Sequence, residues 1–376
     1  MRILQVANFV APTSGGIRTA LAAWATEYVA AGHEVTALVP EAAEPVASWW
    51  PAHPDPRTVP GIAAAAPGYR VVVGRGSVLD VIRDVRPDVI ELSDRTTLRW
   101  LGPWAQAAGI GCVLVAHEHV GDVVRAAGVP GPLARGVADS VNRTAGLDHH
   151  AVVAPSRYAA REVARHGAAV QVVPLAVDHT VFRPRPEPVA PWREDRTLAL
   201  VHVGRLSREK DPMLSVATLA ALVRRGVDAE LTIVGDGPMR GAIARAAAAL
   251  PVELVGHRAP HEVARLVGDS DVLLAPAPAE TFGLAALEGL ACGTPVVCAA
   301  TGALPEVVGA GGRVAVRDAD AFADAALCLA RDPAARERAR RHAVPFTWRT
   351  SARRMLAIHA AVAERARTAA PDQAAR

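Results

Sequence analysis

Two series of short, almost wholly apolar runs constrain this chain more than any single motif. "RILQVANF", "EVTALVP", "PDVIELS", "GCVLVAH" and "HAVVAPS" punctuate the first half, and "TLALVHVG", "AELTIVGDG", "VELVGH", "DVLLAPAP" and "GTPVVCA" the second. Runs this short and this uniformly apolar suit strands covered on both faces. Stretches of helical length separate them, as the crossovers of a parallel sheet require. Gly32 sits where a helix C-cap is needed before the second run. Between the two series, "RPRPEPVAPWREDR" concentrates Pro184, Pro186, Pro188 and Pro191, the texture of an inter-domain linker. At 376 residues the chain is too long for one ordinary core. The predicted fold class is therefore α/β, with two doubly wound domains over 1–182 and 197–345, a linker over 183–196 and helices over 346–376. The expected site is a cleft between the domains, because open α/β sheets bind ligands at the carboxyl ends of their strands. The last residues, "APDQAAR", are expected to fray.

Composition narrows the partners. A formal charge of +3 suits an anionic small molecule or an acidic membrane surface and is far too weak for a nucleic-acid binder. The cysteines Cys112, Cys292, Cys298 and Cys328 form no CxxC and sit among apolar or small residues. They read as reduced, buried packing groups, which points to the cytoplasm. No apolar run approaches the length of a membrane span, and no signal-peptide core follows the first arginine.

Lysine and arginine together number 41, and Lys210 is the only lysine. It lies in "HVGRLSREKDP", in the loop that follows a strand ending at Gly204, together with Arg205. Asp211 and Pro212 read as the N-cap and first residue of the next helix. Two cations at a strand end beside a helix start suit a diphosphate, although two solvated surface charges account for them equally. "PAETFGLAALEGLACGTPVV" supplies a second such element. Glu280 closes its loop, and a helix opens at "TFGLAALEGLA". The free amides of Gly283, Leu284 and Ala285 there can face a phosphate, which the helix dipole favours. Glu288, about a turn further on, can accept hydrogen bonds from a ribose diol, and Glu280 from sugar hydroxyls. A capped amphipathic helix with two glutamates is the plain alternative.

The first half is less decided. The loop after the first strand ends in Ser14, Gly15 and Gly16, and the G-x-G-x-x-G of a nicotinamide-dinucleotide site is absent. His117, Glu118 and His119 end a strand, but no third metal ligand accompanies them. Asp94, Arg95 and Thr96 follow another strand end and, with Arg18, are candidates for acceptor recognition; an ordinary surface turn explains them as well. Asp269-Ser270-Asp271 precedes a strand, and Asp318-Ala319-Asp320 opens a helix. Neither pair is placed to bridge a diphosphate through a metal, so no metal and no cofactor is expected.

"GRLSREKD", "LTIVGDGPMR", "SDVLLAPAPAETFGLAALEGLACGTPVV" and "TGALPEVV" resemble the successive signatures of glycosyltransferase family 4, the retaining enzymes of the GT-B fold. The resemblance covers essentially the whole chain, and its most specific element is the glutamate pair Glu280 and Glu288. It implies two Rossmann-like domains, the first on the acceptor side and the second binding a nucleotide sugar. Arg205 and Lys210, beside Gly204, would hold the donor diphosphate with the backbone of Phe282, Gly283, Leu284 and Ala285. Glu288 would grip the ribose, Gly256 and His257 would lie near the base, and Glu280 would contact the transferred sugar. From the first domain, Gly15 and Gly16 would approach the phosphates, and His117 would contact the sugar near its reacting carbon. Relatives often carry aspartate where this chain has Glu118.

The opening "VANFVAPTSGGIRTAL" with "ELSDRTTLRWLG" is most similar to GDP-mannose-dependent α-mannosyltransferases that build phosphatidylinositol mannosides. That implies GDP-mannose as donor and a glycolipid or small polyol as acceptor. Arg125, Arg135 and Arg143 suit peripheral contact of a cytoplasmic enzyme with the anionic inner face of the membrane, although scattered arginines are usually just solvated. A UDP-sugar-dependent enzyme of the same fold, acting on a small soluble acceptor, is the first alternative. A non-catalytic nucleotide-sugar-binding protein is the second.

Overall fold

The apolar runs become strands in a computed structural model that describes all residues except 11–14, 43–45, 47–49, 51–54, 65–68, 127, 187–189 and 370–376. Ser14, Pro188 and the terminal "APDQAAR" lie outside the described residues. The chain divides into two units, Met1–Leu175 with Trp348–Arg376, and Ala176–Thr347.

The first unit contains β1 (Arg2–Val6), β2 (Glu34–Pro40), β3 (Asp55–Val59), β4 (Gly61–Ala63), β5 (Arg70–Val72), β6 (Val89–Leu92), β7 (Gly111–Val115), β8 (Ala151–Ala154) and β9 (Val170–Val172). Seven of these form a parallel sheet in the order β3-β2-β1-β6-β7-β8-β9, while β4 and β5 pair separately as an antiparallel ribbon. Alternate residues face opposite ways along a strand. Accordingly Leu38 joins the core under one face of the sheet, and its neighbours Ala37 and Val39 join a second core with Leu21 on the other. The helix Gly16–Ala30 ends as the sequence predicts. Gly32 takes φ +84°, and the amides of Gly32 and His33 reach back to the carbonyls of Val29 and Tyr28.

The second unit contains β10 (Leu198–Val203), β11 (Ala229–Val234), β12 (Val252–Gly256), β13 (Val272–Ala275), β14 (Val296–Ala299) and β15 (Gly312–Ala315). All are parallel, in the order β12-β11-β10-β13-β14-β15. Leu200, Leu231, Leu274 and Val297 pack with Leu219 and Phe322 of the helices Pro212–Arg224 and Ala319–Arg331.

Two expectations need correction, for the proline-rich stretch and for Cys328. The proline-rich stretch is not a free linker: the second unit begins at Ala176, and Trp192 is buried in its core with Leu198 and Leu222. A large indole beside an aliphatic core is driven inward whatever the prolines around it. The described part of the stretch is pinned further by Arg185 against Asp269 and Arg196 against both oxygens of Asp271. The C-terminal segment is one helix, Trp348–Ala369, belonging to the first unit. There, His359 lies 3.3 Å from the buried Glu91, and Ser351 accepts a hydrogen bond from Trp24 Nε1 at 2.9 Å. Finally, Cys328 is exposed, whereas Cys112, Cys292 and Cys298 are buried.

Candidate active site

In the second sheet the strand order reverses at β10: its chain neighbour β11 lies on one side and β13 on the other. Connections leave in opposite directions at such a point and open a crevice beyond the carboxyl ends of the two strands. The loop after β10 carries Gly204, Arg205 and Lys210, and the loop after β13 carries Glu280. The two meet there: Lys210 Nζ donates to Glu280 Oε1 at 2.5 Å, with both side chains partly open to solvent. Residues seventy positions apart in sequence are brought together by topology alone.

Neighbouring loops hold this corner in shape. Gly204 N–H bonds the Val234 carbonyl, and Leu206 N–H bonds the Asp236 carbonyl. Gly235, at φ +134°, passes so close that a Cβ there would lie 2.0 Å from the Gly204 carbonyl oxygen, so only glycine fits. On the other side Ala303 N–H donates to the Glu280 carbonyl at 2.8 Å, which gives the "TGALPEVV" segment a supporting role. Gly283, at φ +98°, caps the helix Leu284–Ala291, and a Cβ there would meet Leu304 at 2.5 Å. Leu284 and Ala285 are half-exposed in the first turn, whose earliest helical bond runs from Leu287 N–H to the Gly283 carbonyl. Amides preceding that bond have no partner within the helix. Glu288 is half-buried one turn on, and no described side chain pairs with it. Burial pushes its carboxyl up to about 7.

Phe282 is buried, with its ring edge-on to Phe346 at 6.4 Å, so it packs the unit and does not offer its ring to a ligand. Asp211 holds the N-cap position at φ 49°, but its carboxylate pairs with Arg317 at 2.6 Å and makes no capping bond. Gly256 ends β12 with its carbonyl accepting from Gly235 N–H, and His257 beyond it is exposed. Arg205 is exposed on the loop after β10. His202 was not singled out, since a histidine inside an apolar run reads as core. It is buried, with Nδ1 3.0 Å from Ser215 Oγ, and burial together with Lys210 brings it down to about 4.

In the first unit, Gly15 and Gly16 open the helix Gly16–Ala30, exposed and with free space where a side chain would stand. Arg18 is half-buried on the first turn of that helix, and burial lowers its pKa. His117 follows β7, buried, with Nε2 3.1 Å from Ser93 Oγ and its ring 5.9 Å from that of Trp24. Burial brings it down to about 4, so the imidazole is neutral at pH 7. Asp94 accepts from the amides of Thr96 and Leu98 and from the Thr96 hydroxyl, so it caps its own turn; Thr96 is exposed. Arg95, expected to face an acceptor, is turned inward onto Glu162 at 3.2 Å. His119 likewise faces Glu162 and Asp122. The aspartates weighed as metal ligands are otherwise engaged: Asp271 by Arg196, Asp269 by Arg185, and Asp318 by the amides of Asp320 and Ala321.

Residues 197–332 match the family described as "Glycosyl transferases group 1", and residues 14–181 match "Glycosyltransferase Family 4". Over 381 aligned positions the chain is 42% identical to the GDP-mannose-dependent alpha-(1-6)-phosphatidylinositol dimannoside mannosyltransferase of Mycobacterium tuberculosis (strain H37Ra), covering 96% of this chain and 97% of that one. It is 34% identical over 212 residues to the D-inositol 3-phosphate glycosyltransferase of Arthrobacter sp. (strain FB24), covering 51% of this chain and 50% of that one. Among solved structures, sucrose-phosphate synthase from Thermosynechococcus elongatus superposes with a TM-score of 0.73 at 19% identity, covering 96% of this chain and 98% of that one. Anabaena HepE in complex with UDP and glucose gives 0.73 at 18% identity, covering 96% and 100%. Two parallel Rossmann-like sheets, matched to these structures over 96% of the chain, define the GT-B fold. The chain belongs to glycosyltransferase family 4.

Glu288 yields a prediction free of any ligand. Its folded-state pKa, about 7 against an ordinary 4.5, means that the folded protein keeps this proton while the unfolded chain loses it. The carboxyl therefore costs stability as pH rises from 4.5 to 7, and the full cost remains above that window. Glu288→Gln should raise the melting temperature relative to the parent at pH 8 and make little difference at pH 4.5. Thermal unfolding at the two pH values checks this.

Proposed function

We propose that this enzyme transfers mannose from GDP-mannose to a hydroxyl of a phosphatidylinositol mannoside, with retention at the anomeric carbon and without a metal ion. The observation that carries the reading is the meeting of Lys210, Glu280 and the Gly283-capped helix at the β10/β13 reversal. The full-length likeness to a mannosyltransferase of that specificity supports the choice of donor and acceptor.

The chemistry follows from where charge develops. The bond between the anomeric carbon and the diphosphate oxygen breaks, and the acceptor oxygen bonds to that carbon. In a front-face course the departing phosphate takes the acceptor's proton. Negative charge grows on the diphosphate, so fixed cations and amide dipoles aimed at it stabilise the transition state more than the ground state. Lys210, Arg205 and the amides of Gly283, Leu284 and Ala285 fill that role. Glu288 takes the ribose hydroxyls, and Glu280 those of the sugar. His117, neutral, offers a ring nitrogen to the sugar from the first unit.

The lone lysine now has a reason. An ammonium carries three donors on one small atom, so Lys210 can keep Glu280 and still reach phosphate oxygens. A planar guanidinium is broader and directs its donors within one plane. Lys210→Arg should lower kcat at least about tenfold, more than the loss of an exposed charge pair worth about 1 kcal/mol or less. Steady-state kinetics check this, and unchanged turnover contradicts it.

The donor is tested by calorimetry with GDP, UDP, ADP and NAD. GDP is expected to bind tightest, and activity is expected to survive chelator. Tighter UDP binding favours the UDP-sugar alternative, and activity lost to chelator and restored by magnesium contradicts metal independence.

Among the described residues no helix is long and apolar enough to cross a membrane. The helix Gly131–Asn142 nevertheless exposes Leu133 and Val137 beside Arg135, and Leu147 is exposed just beyond Arg143. Apolar side chains among arginines suit the surface of an anionic bilayer. Replacing Leu133 and Val137 by aspartate should reduce co-sedimentation with anionic vesicles and leave GDP affinity unchanged.

A further inference from the structure

The buried Arg95 and Glu162 grip the segment that follows His117 from two sides. Arg95 is 6% exposed and Glu162 is 2% exposed. Arg95 donates to the Glu118 carbonyl and, at 2.7 Å, to Asn142 Oδ1. Glu162, on the helix Arg157–Ala164, accepts the amides of Val120 at 2.9 Å and Gly121 at 2.7 Å. It meets Arg95 at 3.2 Å and lies 3.1 Å from His119 Nδ1. His119 is also 3.2 Å from Asp122 and stacks on Tyr158 at 4.9 Å. One carbonyl and two amides within four consecutive residues are thus held by a single ion pair.

A buried ion pair is a poor device for stability alone, because desolvation costs several kcal/mol per ion and apolar packing serves as well. What it supplies here is one allowed geometry. The donors around Glu162 are satisfied only when the backbone of residues 118–121 takes this path, and that path sets where His117 stands. Among the described residues, the His117 ring lies against Ser93 Oγ and is tilted against the ring of Trp24.

We infer that Glu162 is a positioning residue for glycosyl transfer, acting with Arg95 through the backbone of residues 118–121 to aim His117. The inference rests on the role given above to His117. A misplacement of about 1 Å can cost about a hundredfold in rate. Glu162→Gln keeps the shape but weakens the hold on Arg95. Its kcat with GDP-mannose and a phosphatidylinositol mannoside should fall about 10- to 100-fold. GDP affinity by calorimetry should stay within about twofold, since the diphosphate loops belong to the other unit. In a His117→Ala background, Glu162→Gln should cost less than about threefold more, because there is no longer a ring to aim.

An unchanged kcat in Glu162→Gln, or the same loss with and without His117, overturns the inference alone. Full turnover in His117→Ala overturns the role of His117 and the inference with it. If Glu162→Gln does not fold, Arg95→Lys serves. A single ammonium cannot span Glu118, Asn142 and Glu162, so the same selective, His117-dependent fall in kcat is expected, and its absence overturns the inference.

Discussion

The ammonium of Lys210 against the carboxylate of Glu280 is the contact around which the candidate site of the second unit is arranged. It joins two loops that come together because β10 and β13 are neighbours while their outgoing connections part. Each loop is buttressed from outside. The β11 loop lies on one through Gly235, and the segment after β14 holds the other through Ala303. Cation, carboxylate and helix opening are thereby fixed before any ligand arrives, and preorganisation of this kind is what electrostatic catalysis requires.

The first unit solves a different problem. Among its candidate groups are two glycines with open space around them and an imidazole kept uncharged by burial. Some charge in this unit is buried, in the Arg95–Glu162 pair and in Glu91 beside His359 of the C-terminal helix, where it shapes backbone and docks elements.

Much of this was legible in the sequence. The apolar runs became parallel strands, with Lys210 and Glu280 on the loops that follow two of them and Glu288 one turn into a helix. Partner choice was not legible. Asp211 stands at the predicted cap, yet its carboxylate answers Arg317, 106 residues away. Arg95 looks like a surface arginine until Glu162 is placed 67 residues on. Phe282 sits inside a ligand motif but packs on Phe346. The proline-rich stretch reads as a linker because prolines advertise a break, while the single Trp192 that binds it to the core is easily passed over. In each case the tertiary partner decided how the side chain is used.

The central claim is that a donor diphosphate occupies the corner between the ends of β10 and β13. A crystal soaked with GDP-mannose tests it most directly. The account predicts diphosphate oxygens within hydrogen-bonding distance of Lys210 Nζ and of the amides that open the helix Leu284–Ala291, with the ribose on Glu288. Nucleotide bound elsewhere, with Lys210 still paired to Glu280 alone, would contradict it.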